Sequence, residues 1–480
     1  MKNKHNFKTL ALILGLLTIP VAGNAASLLE VYQQALQSDP RIHEAEARRL
    51  AALEAKPQAR GVLLPQIGFS GDWSDTQSSG PANFPDGFGG TLPGSADSDS
   101  DNTFWQVGLR QTLFRWDQIV DLRRADKTVA KAEADREAAQ QDLVVRVGQT
   151  YFDVLAAEDR LTSLHANRQA IARQLEQAKQ RFEVGLIAIT DVQESQAAHD
   201  QAVADEIGAK RSLATAREFL REITGQHVGN LSAPGEEFPM RTPDPNIESA
   251  WVDLALSQNL VLVSSRLDED LARDEISYRR NGHYPTVELF ASTGSRENDG
   301  DRTTVLDSGV TRSSSLDFES DDDRIGISVT VPLFAGGRTS SRVREAVYLH
   351  RAAREQLLRV TRETERSTRD SYLGVLSEMS RVEALEQAVK SSRTALEATQ
   401  AGFDVGTRTI VDVLDSQFAL YRSITLFYQA RYDYLMNVLR LKQAAGSLQI
   451  QDLEKIDQWL KERKTPEEVF AEEAAAASSS

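Results

Sequence analysis

The spacing of apolar residues predicts long helices over most of the chain. From Leu28 onwards, apolar residues recur at three- and four-residue intervals, which predicts a helix over 27–62 that Pro40 and Pro57 kink or divide. The same spacing predicts further helices, at 117–184, 190–225, 247–283, 337–404 and 411–446. The two longest of these contain no proline, and each would be about 100 Å long at a rise of 1.5 Å per residue.

A seven-residue repeat runs along the second of these long helices. Its apolar positions are Val375, Val382, Val389, Leu396 and Phe403. Such spacing predicts left-handed supercoiling against neighbouring helices.

Two pairs of strands interrupt the helices. Apolar and polar residues alternate over 65–79, 102–114 and 323–334 and, less regularly, over 285–297. The polar segments between them, 80–101 and 298–322, are predicted to be loops. Strands of about ten residues with long loops at one end are typical of outer-membrane barrels. Four strands cannot close a barrel, so we expect one shared between subunits, with eight strands in a dimer or twelve in a trimer.

The second half of the chain repeats the first. The run from Phe182 to Gln196 recurs from Phe403 to Gln417, 221 positions later (403 against 182), with Phe, Val, Gly, Asp, Val, Ser and Gln in step. We therefore expect one structural unit used twice, over 26–235 and 236–450. The acidic tail at 451–480 follows, and its last dozen residues are predicted to be disordered.

Each copy of the repeated run predicts a helix end, a turn and a new helix start. A glycine stands where a helix commonly ends, a threonine is the predicted N-cap, and an aspartate falls in the first turn, where the helix dipole favours negative charge. These residues are Gly185, Thr190 and Asp191 in the first copy, and Gly406, Thr409 and Asp412 in the second. Thr190 and Gln193 also have the spacing of a capping box. One interpretation of Asp191 and Asp412 is that they only stabilise the N-termini of their helices.

Composition narrows the classes of function. The chain has 480 residues and a formal net charge of −16, which argues against nucleic acid as a partner. Residues 1–25 combine early lysines, a short apolar run and small residues near Ala25, which predicts a secretory signal peptide. The chain contains no cysteine, so neither disulfides nor a cysteine-linked lipid is expected.

Motifs for catalysis or metal binding are not found in the sequence. The seven histidines are scattered without an HExxH pattern, and P-loop and nucleophile-elbow motifs are missing. The acidic runs 97–101 and 321–323 lack the glycine and distal glutamate of a calcium loop, so no metal or cofactor is predicted. An enzyme is therefore disfavoured. A soluble coiled-coil scaffold is a second alternative, but it would leave the strands and the signal peptide unexplained.

Several runs of the sequence resemble the TolC family of outer-membrane efflux channels. They are Val31–Ala35, Leu63–Gln66, Phe182–Leu186, Ala188–Gln193 and, most specifically, Val405–Asp415. The resemblance extends from Ser27 to about Ile450 and is closest to members without a lipid anchor. It implies an α+β outer-membrane protein, a homotrimer with a shared barrel of twelve strands, continued by a periplasmic α-barrel of twelve helices.

The same resemblance implies export of drugs or proteins, including type I secretion and multidrug efflux. The implied partners are a periplasmic adaptor, an inner-membrane transporter and the lipid of the outer membrane. The adaptor would dock at the hairpin tips, around Gly185, Leu186, Gly406 and Thr407.

A gate at the periplasmic tip is a further implication. Arg408 would link to Thr190 and Asp191, and Asp412 and Asp415 would line the constriction. Three subunits would place six carboxylates around one axis, which would attract cations and repel anions.

One residue departs from the family's pattern. Phe403 stands where the family has a tyrosine whose hydroxyl bonds the aspartate equivalent to Asp191. Phenylalanine cannot make that bond, so we expect a closed state with fewer restraints and a greater dependence on Arg408.

Overall fold

The computed structural model describes residues 25–235 and 238–479, with side chains as far as Glu472. Apart from Ala25, the predicted signal peptide lies outside the described residues. The described chain divides into two units. The hairpin unit contains the residues up to Ile42, Gln140–Ala255 and the chain from Arg366 onwards; the sheet unit contains His43–Ala139 and Leu256–Glu365.

Helices make up most of the described chain. In order they are α1 (Leu28–Ser38), α2 (Pro40–Leu53), α3 (Ala55–Gly61), α4 (Trp116–Glu183), α5 (Ile189–Thr224), α6 (Glu248–Gln258), α7 (Leu260–Arg279), α8 (Arg338–Asp404), α9 (Ile410–Ala444), α10 (Ile450–Asp457) and α11 (Pro466–Ser479). The strands are β1 (Gln66–Pro85), β2 (Thr91–Phe114), β3 (Ala233–Pro234), β4 (Thr286–Leu306), β5 (Thr311–Ser315), β6 (Phe318–Thr330) and β7 (Leu460–Lys461). None of the described helices is both long and apolar enough to cross a membrane.

Two predicted helices are divided in the structure. The helix predicted over 27–62 becomes α1, α2 and α3, and Pro40 is the first residue of α2, a position that tolerates proline. The helix predicted over 247–283 is divided at Asn259, whose side chain accepts a hydrogen bond from the backbone N–H of Leu262 at 3.0 Å. A side-chain cap of this kind starts a new helix without a proline.

The main sheet of the sheet unit is antiparallel. Its order is β1–β2–β4, with β6 and the short β5 both paired to β4. The predicted loops at 80–101 and 298–322 are wrong over most of their length. Strands β1 and β2 pair as far as Pro85 and Thr91, and β4, β5 and β6 occupy most of the second segment. The hydrogen bonds between paired strands join backbone groups and do not depend on apolar side chains. The pairing therefore continues to Ser79 and Asp97, where the sequence no longer alternates between apolar and polar residues. The strand predicted over 323–334 ends at Thr330.

The core of the hairpin unit lies around the middle of α4. Tyr151 and Phe152 are fully buried, and the Tyr151 hydroxyl donates to the Ser232 carbonyl at 2.6 Å. Along α8, Val375, Val382 and Phe403 of the predicted seven-residue series are also buried. That spacing therefore marks the inward face of the helix.

The C-terminal segment packs against this core, and its last helix extends into the last dozen residues, for which the sequence predicts disorder. β7 pairs with β3, and α11 continues to Ser479. Arg463 forms ion pairs with Glu158 and Asp159 of α4, and Phe470 stacks on His165 with ring centroids 3.6 Å apart. The Ala- and Ser-rich composition suggested disorder, but alanine is also the strongest helix former, and these anchors hold the segment in place.

Candidate functional site at the hairpin ends

Two helical hairpins carry the residues predicted to form the site. α4 turns into α5 at Gly185, and α8 turns into α9 at Gly406, with φ of +75° and +80°. In each turn, the residue after the glycine donates its N–H to a carbonyl five residues earlier, at 2.9 Å for Leu186 and 2.8 Å for Thr407. A Cβ on either glycine would meet no atom within 4 Å, so the positive φ is what favours glycine there.

The two hairpins start their returning helices differently. Thr409 caps α9: its hydroxyl accepts from the N–H of Asp412, whose carboxylate accepts from the Thr409 N–H in return. This confirms the predicted N-cap of the second hairpin. The predicted cap at Thr190 is wrong, because α5 begins at Ile189 and its N-cap is Ala188, which makes no side-chain cap bond. The predicted capping box of Thr190 and Gln193 is therefore also not formed.

The capping box changes the chemistry of Asp412. Its carboxylate accepts from the backbone N–H and the hydroxyl of Thr409, each at 2.9 Å. The backbone bond first and the hydroxyl bond second hold the pKa of Asp412 below its usual value, with a smaller contribution from Arg408. The carboxylate of Asp412 is therefore easier to ionise than one without these bonds. Asp415, one turn further along α9, is exposed.

Arg408 does not reach its predicted partners within one chain. Among the described residues, no hydrogen bond or ion pair joins it to Thr190 or Asp191. Its side chain lies instead against its own hairpin, because a Cβ added to Gly402 would come within 2.7 Å of the Arg408 Cγ.

A link that the sequence pattern does not predict joins the two hairpins. Arg181 in the last turn of α4 donates to a carboxylate oxygen of Asp404, the last residue of α8, at 3.0 Å. Its guanidinium carbon also lies 4.8 Å from the centroid of the Phe403 ring, the face of which attracts cations. Phe403 is 8% exposed and packs with Ile410 and Val413. The signal in the sequence was a basic residue and an acidic residue at the ends of two neighbouring helices.

Apolar side chains project from both turns. Val184, Leu186 and Val405 are 70%, 73% and 75% exposed, beside the glycines predicted to meet an adaptor. The acidic runs of the sheet unit lie in β2 and β6, and the described residues form no group of three or more His, Cys, Asp or Glu side chains able to hold a metal ion.

Comparison with known proteins identifies the family. Residues 31–226 and 251–447 match the outer membrane efflux protein family, and each matched segment contains one of the hairpins. The chain belongs to this family. The match leaves out the C-terminal segment that contains α10, β7 and α11.

Members of the family are similar to this chain over nearly their whole length. The outer membrane protein TolC of Vibrio cholerae is 38% identical over 449 residues, which cover 93% of this chain and 97% of that protein. The alkaline protease secretion protein AprF of Pseudomonas aeruginosa is 30% identical over 437 residues, covering 90% and 86%. The crystal structure of the Campylobacter jejuni CmeC outer membrane channel shares the fold, with a TM-score of 0.70 over 96% of this chain and 98% of that one at 16% identity.

These similarities establish the general function of the chain. It is an outer-membrane exit channel for efflux and type I secretion, with a periplasmic extension. Its relatives are channel and secretion proteins rather than enzymes.

Proposed function

We propose that three copies of the chain form one conduit, with a shared barrel of twelve strands and a periplasmic α-barrel of twelve helices. The sheet supports this arrangement, because β1 lies at one end of it and β6 at the other. An open sheet edge in lipid leaves backbone groups unpaired, which costs several kcal/mol per group, and pairing with the next copy removes that cost. The apolar side chains of Ile67, Phe69 and Ile325 are exposed in one chain, as lipid-facing residues of a barrel would be.

In this proposal the hairpin ends form the gate of the conduit. Arg408 of one chain would pair with Thr190 and Asp191 of the next, and Asp412 and Asp415 would form a ring of carboxylates. The observation that carries the gate is the position of Arg408, which is exposed and does not engage Asp191 of its own chain. The N-cap of α5 is Ala188, which has no hydroxyl to donate to the carboxylate of Asp191.

The ring of carboxylates would select for cations. The two bonds from Thr409 lower the pKa of Asp412, which opposes the rise in pKa that neighbouring carboxylates of the ring would cause. A ring of like charges in a narrow pore attracts cations and repels anions.

The partners would meet the conduit at the exposed turns. A periplasmic adaptor would contact Gly185, Leu186, Gly406 and Thr407, where the neighbouring apolar side chains offer surface to bury. The adaptor would connect the channel to an inner-membrane transporter. Because AprF is a protease secretion protein and other relatives are efflux proteins, we propose both proteins and small toxic compounds as cargo.

Single-channel conductance tests the gate. In planar bilayers, purified Arg408→Glu channel should conduct more than the unaltered protein, because the link to Asp191 becomes repulsive. Arg393→Glu is the matched control: it makes the same charge change on the exposed surface of α8, away from the turn. Equal conductance of the Arg408→Glu channel and the unaltered channel would rule out the assigned gate. The subunit count of detergent-purified protein tests the trimer independently.

A further inference from the structure

The arginines of the main sheet all lie on one of its two faces. Side chains alternate between the faces along a strand, and residues directly opposite each other on paired antiparallel strands share a face. Phe104 of β2 stands opposite Arg296 of β4, and Ser292 of β4 stands opposite Arg324 of β6. The same register places every arginine of the described strands on this side, which we call the arginine face: Arg110, Arg296, Arg302, Arg312 and Arg324.

The opposite face is apolar over one part of the strands and acidic over another. Its apolar residues include Ile67, Trp105 and Ile325. Its acidic residues include two pairs that stand opposite each other on β2 and β4: Asp99 with Asp301, and Asp101 with Asp299. In the described strands, neither Arg nor Lys occurs on this face. Since the apolar residues of a membrane barrel contact lipid, the proposed trimer turns the arginine face towards the lumen.

Arg296 lies on an aromatic ring with its hydrogen-bonding groups available. Its guanidinium carbon lies 5.3 Å from the centroid of the Phe104 ring, whose face attracts cations. Among the described residues, no hydrogen bond or ion pair occupies this guanidinium, and the side chain is exposed. A guanidinium presents its N–H donors in a planar fork that matches a carboxylate. Arg296 can therefore bind an anion while it remains on the ring.

Arg324 supplies a second cation beside Arg296. Both arginines line a recess of about 140 Å³, whose other polar walls are Gln106, Ser292 and Asp322. Asp322 pairs with Arg324 at 3.5 Å, but the two side chains are 61% and 67% exposed, so the pair is weak. Two arginines and one aspartate give the recess an excess of positive charge. It is too small for a drug-sized molecule, but it has room for one carboxylate group.

We propose that the arginine face binds anions in the lumen of the barrel, and that the recess of Arg296 and Arg324 binds the carboxylate groups of exported solutes. This inference rests on the proposed function, in which three sheets close one barrel and the aspartates at the hairpin ends favour cations. Those aspartates repel an anionic solute, whereas the arginines lower its free energy in the barrel. The two groups of charges together let one conduit carry solutes of either sign.

Reversal potentials in planar bilayers test the effect on permeation. The background is the full-length channel with Asp412→Asn and Asp415→Asn, in which the ring of carboxylates is neutral. Arg296→Gln in this background should raise the ratio of cation to anion permeability about twofold, because the lumen loses positive charge. Gln77→Glu is the matched control, since it makes the same change of charge on the opposite face, where Gln77 pairs with Asp99. An unchanged ratio with Arg296→Gln, or an equal rise with Gln77→Glu, would overturn the proposal.

Calorimetric titration measures binding directly. The probe is trimesate, a benzene ring with three carboxylates, titrated into the detergent-purified full-length protein. Arg296→Gln combined with Arg324→Gln should weaken its binding about tenfold, because charged hydrogen bonds to the carboxylate are lost. Arg296→Lys keeps the charge but not the planar fork, so it should weaken binding less than Arg296→Gln does. Equal affinity of the unaltered and the doubly substituted proteins would rule out the recess as the site.

The outcomes separate this inference from the proposed function. If the purified protein is not a trimer, the shared barrel is wrong, and so is the placement of the arginines in its lumen. If the trimer forms and Arg408→Glu raises conductance, but the arginine substitutions change neither permeability nor trimesate binding, the proposed function stands and the anion site is wrong.

Discussion

The carboxylate of Asp412 is bound twice by Thr409, through the backbone N–H and the hydroxyl, at 2.9 Å in both cases. The corresponding aspartate of the first hairpin, Asp191, follows Ala188, which offers no hydroxyl. Two positions that correspond in the repeated sequence therefore differ in chemistry. One aspartate is held by its own helix cap, and the other is left to bind elsewhere.

Removal of the Thr409 hydroxyl should loosen the start of α9. Thr409→Ala should cost about 1 kcal/mol of local stability, because the first turn loses its side-chain cap. Amide hydrogen exchange in that turn should then be roughly fivefold faster. Thr409→Ser keeps the hydroxyl and is the control. Ala188→Thr should slow exchange at the start of α5. Equal exchange rates in the Thr409→Ala and unaltered proteins would contradict the assigned role of the cap.

The charge of Asp412 should survive in acid. In an Asp415→Asn channel, the remaining cation selectivity depends on Asp412, whose pKa is lowered from the ordinary value of 3.8. A lowered pKa means that the carboxylate stays ionised as the pH falls below 3.8, so selectivity should persist there. Reversal potentials in a salt gradient measure it across the pH range.

Addition of Thr409→Ala to this channel provides the control. Without the hydroxyl, the pKa of Asp412 should rise, and selectivity should be lost at a higher pH than in the Asp415→Asn channel alone. Loss of selectivity at the same pH with and without the Thr409 hydroxyl would show that the cap does not set this charge.

The long helices were predictable because their signals are local. Seven-residue spacing and a glycine at the turn predicted 337–404, and α8 runs from Arg338 to Asp404. The N-cap of α5 was not predictable in this way. Thr190 lies only two residues beyond Ala188, and a helix capped by either residue fits the apolar pattern. The length of the preceding turn decides between them, and a sequence pattern does not fix that length.

Contacts between residues far apart in the chain could not be predicted from the sequence either. Arg181 and Asp404 are 223 residues apart, and their pairing depends on how two helices pack. The extended strands escaped prediction for a different reason. Where Ser, Asp and Thr occupy both faces of a ladder, the backbone still pairs, but the alternation that identifies a strand is lost.

Glu206 should make the hairpin unit sensitive to acid. Burial opposes its ionisation, but bonds from Lys210, His165 and Arg168 outweigh burial and lower its pKa from 4.5 to about 2. Because folding lowers the pKa of Glu206, its ionised carboxylate stabilises the folded protein above pH 4.5. This stabilisation is lost as the pH falls towards 2. Thermal unfolding of the detergent-purified channel, followed by circular dichroism, should show this loss.

Glu206→Gln isolates that contribution. The variant should lose about 2 kcal/mol at pH 7, because charged hydrogen bonds to the neighbouring cations are replaced by neutral ones. Its stability should then change less than that of the unaltered protein between pH 4.5 and 2. Asp200→Asn, an exposed change on the same helix, should shift stability by less than about 0.5 kcal/mol. An identical acid response in the Glu206→Gln and unaltered proteins would show that another group is responsible.

Arg463 should be the residue on which docking of the C-terminal segment depends. Glu158 and Asp159 are buried, and burial raises the pKa of both despite the neighbouring arginines. Arg463→Ala should destabilise the hairpin unit by about 3 kcal/mol, because it leaves buried carboxylates with fewer partners. Lys464→Ala is the matched control: Lys464 pairs with Glu472, both side chains are more than 60% exposed, and such pairs contribute about 0–1 kcal/mol. Thermal unfolding and protease cleavage of the segment measure both effects. Similar losses in the two variants would mean that Arg463 contributes no more than a surface ion pair.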